Sequence, residues 1–147
     1  TSAQLIVQKI NDNPTYQTRI IHQYFPLDSY FVVKKFLRNL SPTLCIFIES
    51  ELWPNYLSLA QKFKIPCYLV NARISNKSLK RWQFLAKSGF NIFDYFSIIF
   101  AQNEEYKNNI YDIIHCNNQI MNLFAKKPEE TLTIIQKELK ELLAIRH

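Results

Sequence analysis

Glycine is almost missing from this sequence. The 147 residues contain it once, at Gly89, where ordinary usage would supply about ten. One glycine cannot build the glycine-rich turns of P-loop or dinucleotide-binding proteins, so both are excluded. Cysteine is scarce and scattered, at Cys45, Cys67 and Cys116. An odd, unclustered count is not a disulfide framework and suggests a reducing compartment. No C-x-x-C or H-E-x-x-H spacing occurs, which removes the common zinc signatures. Cys45 and Cys67 lie inside apolar runs and read as small buried hydrophobes. No uncharged apolar run reaches about 18 residues, so no transmembrane helix is expected. Thr1 to Asn13 lacks the charged start and apolar block of a signal peptide. An initiator Met is also absent, and the chain reads as a piece of something longer.

What is present is a core. Apolar residues make up 48%, with 11 Phe, 8 Tyr and 2 Trp, which excludes a wholly disordered protein. Eighteen Lys and Arg stand against 12 Asp and Glu, a net charge of +6. Ile, Asn, Lys, Phe and Tyr are abundant. A genome biased toward A and T would produce the same abundance and part of the charge.

Four short apolar runs, at Arg19–His22, Leu44–Ile48, Cys67–Val70 and Ser97–Ala101, have the length of strands and recurrent β-branched residues. The last three show little polar alternation, as strands covered on both faces do. Helical patterns lie between them. Asp28 is placed to cap a helix carrying Phe31, Val32, Phe36, Leu37 and Leu40 on one face. Pro54 suits the first turn of a helix Pro54–Phe63. Ser75 is placed to cap Asn76–Ala86, Asn103 to cap Glu104–Tyr111, and Ser2 to cap Ala3–Ile10. The alternation predicts an α/β fold, a doubly wound parallel sheet with helices on both faces. Its first element is a helix with no strand ahead of it, so at least one upstream strand is expected to be missing. Residues 115–127 are polar and weakly patterned and read as a linker. Beyond Pro128, the spacing of Leu132, Ile135, Leu139 and Leu142 predicts an amphipathic helix, docked either on its own domain or on a second domain or partner.

Ligands of open α/β sheets bind beyond the carboxyl ends of the strands, and three clusters follow strands directly. Glu49-Ser50-Glu51-Leu52-Trp53-Pro54-Asn55 carries two carboxylates two residues apart. In extended backbone they point the same way and form a pair suited to acid/base work. The plainer alternative is one helix cap and one solvated Glu, and the carboxylates alone favour it. Asn71-Ala72-Arg73-Ile74-Ser75, followed by Lys77, Ser78, Lys80 and Arg81, offers an arginine and a capped helix start to an anion. A solvated basic face is the commoner meaning of such a run, but Arg73 falls inside the presumed cleft. Ala101-Gln102-Asn103-Glu104-Glu105 is, alone, a capped helix start. His22, at a predicted strand end before Tyr24-Phe25-Pro26-Leu27-Asp28, reads as structural.

Taken in order, these clusters resemble one family. The stretches HQYFPLDSYFVVKKFLRNLSPTLCIFIESELWPN, IPCYLVNARISNKS and FAQNEE are similar to the 3-deoxy-D-manno-octulosonic acid (Kdo) transferases of lipopolysaccharide synthesis. Those enzymes typically carry Y-x-P-x-D, E-T-E-L-W-P-N, N-A-R-L-S and A-Q-N/S-E. Thr1-Ser2-Ala3 resembles the end of their T-x-T-G motif, with Ser2 where glycine is usual. The resemblance runs from Thr1 to about Asp112. It implies a two-domain GT-B fold whose N-terminal Rossmann-like half receives the lipid A precursor (lipid IVA) and whose C-terminal half holds CMP-Kdo. It implies a peripheral enzyme on the cytoplasmic face of the inner membrane that needs neither metal nor cofactor. The family's base lies upstream of Thr1 and its donor motifs downstream of His147. By this resemblance residues 1–114 are a partial acceptor-side domain, 115–127 a linker, and 128–147 a remnant of the entry to the donor domain. Glu49 and Glu51 then support the acceptor site. Ser2, Asn55, Asn71, Arg73, Ser75, Lys77 and Gln102 contact substrate, with Arg73 meeting a phosphate or sugar carboxylate.

The expected partners are the acceptor glycolipid, an anionic membrane surface and a separately encoded C-terminal half. The isolated chain is expected to be inactive, since transfer needs donor and acceptor held together. The alternative is a non-catalytic remnant, or a module that binds membrane or glycolipid. A nucleic-acid-binding role is the weakest reading, because the aromatic residues fall mostly on apolar helix faces.

Overall fold

The computed structural model describes residues 2–114, 122–125, 130 and 133–137. Two short helices come first, α1 (Ser2–Asn11) and α2 (Pro14–Arg19), followed by α3 (Tyr30–Leu40). Then strands and helices alternate: β1 (Cys45–Ile48), α4 (Pro54–Lys62), β2 (Cys67–Ala72), α5 (Asn76–Lys87), β3 (Ile98–Ala101), α6 (Glu104–Ile114) and β4 (Asn122–Ala125). A 3-10 turn at Ile92–Tyr95 precedes β3. All four strands are parallel, in the order β1-β2-β3-β4. The fold is Rossmann-like α/β.

Sequential order has a geometric consequence. Right-handed crossovers that always step in one direction place every connecting helix on the same face. Accordingly Cys45, Phe47, Cys67, Leu69 and Ile99 share one core with Val33 and Leu37 of α3, Leu57 and Leu59 of α4, Trp82 of α5 and Ile110 and Ile113 of α6. Alternate residues Tyr68, Ile98 and Phe100 point to the opposite face and pack with Ile135, where residues 133–137 are helical. Helices therefore lie on both faces, as expected. The described sheet contains no reversal of strand order. Of the predicted C-terminal stripe, Ile135 docks on its own sheet, while Leu132, Leu139 and Leu142 lie outside the described residues. The span read as a linker contains β4.

Two local expectations are corrected. Arg19–His22 is not a strand: Arg19 ends α2, and Ile20 adopts extended angles (φ −121°, ψ 125°) without a neighbour in the sheet. Asp28 does not cap α3. Ser29 occupies that position, without a side-chain hydrogen bond. The Asp28 carboxylate instead accepts hydrogen bonds from the backbone N–H groups of Asn55 (3.2 Å) and Tyr56 (3.0 Å). The Asn55 side-chain amide returns one to the Asp28 carbonyl at 2.8 Å. Trp53 stands at the N-cap of α4 and cannot satisfy these donors with its own side chain, so the acceptor comes from a distant segment. The caps at Ser75 and Asn103 are as expected, accepting from the Ser78 and Tyr106 N–H groups.

The single glycine ends α5. Gly89 has φ +90°, its N–H bonds the Ala86 carbonyl, and Phe90 N–H bonds that of Leu85, which is a Schellman terminus. A Cβ there would meet nothing within 4 Å, so a substitution would cost backbone strain alone. Gly89→Ala is expected to destabilise the fold by about 1 kcal/mol, and Asp28→Ala by about 2 kcal/mol through the orphaned donors of α4. Urea unfolding monitored by circular dichroism measures both.

Candidate functional site

The carboxyl ends of β1, β2 and β3 are tied into one rim by backbone hydrogen bonds. Glu49 N–H donates to the Val70 carbonyl (2.9 Å) and Gln102 N–H to that of Ala72 (3.1 Å). Ser50 Oγ donates to the Arg73 carbonyl at 2.7 Å. Glu49 and Arg73, from successive strands, face each other at 4.0 Å, each about half exposed. A contact of that length and exposure adds little stability. It does hold the guanidinium, with its fork of five donors, at the mouth of the rim where an anion can reach it.

The chain turns at Glu49–Ser50, so the two carboxylates are not arranged by an extended backbone. Glu49 turns toward Arg73. Glu51 accepts a hydrogen bond from the indole Nε1 of Trp53 at 2.9 Å. The expectation that both carboxylates point the same way in extended backbone is therefore replaced by two separately partnered groups. Trp53 was not singled out from the sequence. The signal was an acceptor and an indole donor two residues apart before a proline-started helix.

Backbone strain marks the same rim. Among the described residues, four other than glycine have positive φ: Ser41, Glu49, Lys64 and Asn71. Ser41 closes α3, and Lys64 N–H bonds the Gln61 carbonyl at the end of α4, so those two terminate helices. Glu49 (φ 63°) and Asn71 (φ 56°) do not. They stand at the carboxyl end of β1 and near that of β2. Asn71 is the extra residue of a bulge, since Val70 pairs with Phe100 and Ala72 with Ala101. Asparagine tolerates this region and glutamate does so poorly. Strain at the ends of two neighbouring strands makes this rim the candidate site.

The other expected residues are distributed as follows. Gln102 is exposed at the end of β3, on the rim. Ser75 caps α5, with Lys77 exposed in its first turn. Asn55 is engaged with Asp28. Ser2 begins α1, which packs with α2. Among the described residues no group of three or more His, Cys, Asp or Glu side chains is arranged for a metal. A cavity of about 550 Å³ opens beside α1, lined by Gln4, Gln8, Asn11, Asp12, His22 and Tyr24 among others, and shares no residue with the rim.

The segment before α3 reaches the loop that follows β1. Phe25 stacks on Tyr56 (centroids 4.9 Å) and packs on Trp53 (5.3 Å), so the segment held by Asp28 lies beside the Glu51–Trp53 pair. From that segment Tyr24, Leu27 and Phe31 are 78–79% exposed, with Lys34 and Lys35 following on α3.

Residues 1–124 match the family model described as 3-deoxy-D-manno-octulosonic-acid transferase. The chain belongs to the Kdo transferase family. It is 40% identical over 125 residues to the 3-deoxy-D-manno-octulosonic acid transferase of Rickettsia prowazekii, covering 83% of this chain and 26% of that protein. The Rickettsia felis enzyme is 41% identical over 128 residues, again 83% and 26%. The Chlamydia trachomatis serovar D enzyme is 32% identical over 88 residues, 60% and 20%. The chain thus spans about a quarter of the length of the Rickettsia relatives. No solved structure matches it.

Replacing Glu49 by glycine relieves the left-handed strain while removing the partner of Arg73. Glu49→Gly is therefore expected to hold or raise stability, by up to about 1 kcal/mol, where a glycine in an ordinary strand residue would lower it. The melting temperature against that of Ile46→Gly decides this.

Proposed function

We propose that this chain is the acceptor-binding part of a Kdo transferase, and that the Glu49–Arg73 rim receives the sugar-phosphate head of the lipid A precursor (lipid IVA). CMP-Kdo is the donor, held elsewhere in the enzyme. The observation that carries this reading is a charged rim with exposed apolar side chains, Tyr24, Leu27 and Phe31, on the segment that reaches its loop through Phe25 and Trp53. A glycolipid has the same division, an anionic sugar head and acyl chains. Arg73 supplies the anion contact and Lys77 extends it. Glu49 keeps Arg73 at the mouth, and Glu51, fixed by Trp53, accepts hydrogen bonds from acceptor hydroxyls. Asn71, Gln102 and Ser75 line the approach, while Asn55 acts through the loop it anchors.

Tyr24, Leu27 and Phe31, backed by Lys34 and Lys35, suit the interface of an anionic membrane. No helix among the described residues is long and apolar enough to cross a membrane, and the proposed association is peripheral, on the cytoplasmic face of the inner membrane. Transfer needs donor and acceptor held together, so the chain alone is proposed to bind without turnover and to work with a donor-binding half.

Binding of the chain to anionic vesicles with and without lipid A precursor tests the reading. Arg73→Ala is expected to weaken the precursor-dependent part by about 10- to 100-fold, the worth of one charge-assisted contact, and Leu27→Asp to weaken binding to both vesicles. Precursor binding undiminished in Arg73→Ala, with the fold intact by circular dichroism, defeats the placement. Precursor binding without Kdo transfer, even when a donor-binding half is co-expressed, favours a non-catalytic glycolipid-binding module.

A further inference from the structure

The mechanism leaves two buried thiols unused. Cys45 opens β1 and Cys67 opens β2, and the two are directly paired in register. Both side chains enter the same core, Cys45 9% and Cys67 1% exposed. In-register residues of neighbouring strands lie about 4.8 Å apart, inside the roughly 4.4–6.8 Å between Cα atoms that a disulfide accepts. Among the described strands β1 pairs with β2 alone, and closing the bond requires the two Cβ atoms to approach to within about 4.5 Å.

We propose that Cys45 and Cys67 are a redox pair, converted to an intramolecular disulfide by a low-molecular-weight disulfide. The Cys45 thiolate attacks one sulfur of the oxidant and expels its first thiolate, leaving a mixed disulfide on Cys45. Cys67 then gives up its proton and attacks the Cys45 sulfur, expelling the second. The protein dithiol loses two electrons and two protons, and the oxidant leaves as two thiols.

The order of attack follows from exposure, Cys45 lying at 9% and Cys67 at 1%. The hydrogen bond with Cys67 holds the Cys45 thiol below its ordinary range against the effect of burial, with a further contribution from the Tyr56 hydroxyl. The same thiol–thiol contact, then burial, pushes Cys67 well above its range. The more exposed Cys45 is thus the entry point. The bond would close the β1-α4-β2 unit, the loop that carries Glu49, Ser50, Glu51 and Trp53. This inference is independent of the sugar-transfer reading.

The full chain bearing Cys116→Ser, reduced and then exposed to oxidised glutathione, tests it. The expected product has lost two hydrogens by intact mass, yields a joined Cys45–Cys67 peptide on non-reducing digestion, melts cooperatively several degrees higher, and reverts with dithiothreitol. Three results would overturn it. The folded chain retains both thiols at oxidant levels that crosslink it in urea, or it stops at a glutathione adduct, or the crosslinked chain loses its cooperative melt. As a control in the chain that keeps Cys116, Cys67→Ala must abolish the two-hydrogen loss, and its persistence would assign the bond to Cys116 instead.

Discussion

The Asp28 carboxylate is the constraint on which the rest is hung. It closes the N-terminus of a helix that begins with Trp53-Pro54 and so has no acceptor of its own. By doing so it brings the segment before α3 against the start of α4. Phe25 then stacks on Tyr56, and Tyr56 in turn packs edge-on to Phe47 of β1. One long-range cap thus connects an otherwise peripheral segment to the sheet. It also fixes the loop that leaves β1, and with it the place where Glu51 meets Trp53. Asp28 and Asn55, both in motif segments, bond to each other and hold the segment before α3 against the start of α4.

The rim shows a division of labour between backbone and side chain. Backbone hydrogen bonds from Glu49 and Gln102 lock the strand ends together. Left-handed residues, Glu49 and Asn71, stand beside those bonds. Neither device would be needed for a sheet that simply ended in solvated turns. Family membership rests on the match over residues 1–124, and the geometry says how the matched segments cooperate: the acidic motif and the arginine motif meet across two adjacent strands.

Much of this was legible in the residues. Apolar runs located β1, β2 and β3, and β2 and β3 are covered on both faces as such runs suggest; β1 is not, since Ile46 and Ile48 on one of its faces are exposed. Caps at Ser75 and Asn103 and the proline start of α4 were local signals and were read correctly. What was not legible was long-range. Arg19–His22 has strand-like composition and Ile20 takes extended angles, but pairing depends on a neighbour that no local pattern specifies. Asp28 looked like a cap for the helix next to it, and the helix it serves begins 26 residues later. β4 was hidden in a polar stretch because four residues give too little pattern to count. The separate partners of Glu49 and Glu51 followed from one positive φ, which composition does not announce.

The near-absence of glycine has a cost beyond missing motifs. Ser41, Glu49 and Lys64 hold left-handed backbone that glycine would take without strain. At roughly 1 kcal/mol or more each, their sum is a sizeable part of the 5–15 kcal/mol that separates folded from unfolded domains. Glycine at any of these three positions would release that strain. At Lys64, which follows the end of α4, glycine would take the left-handed turn without the Cβ penalty.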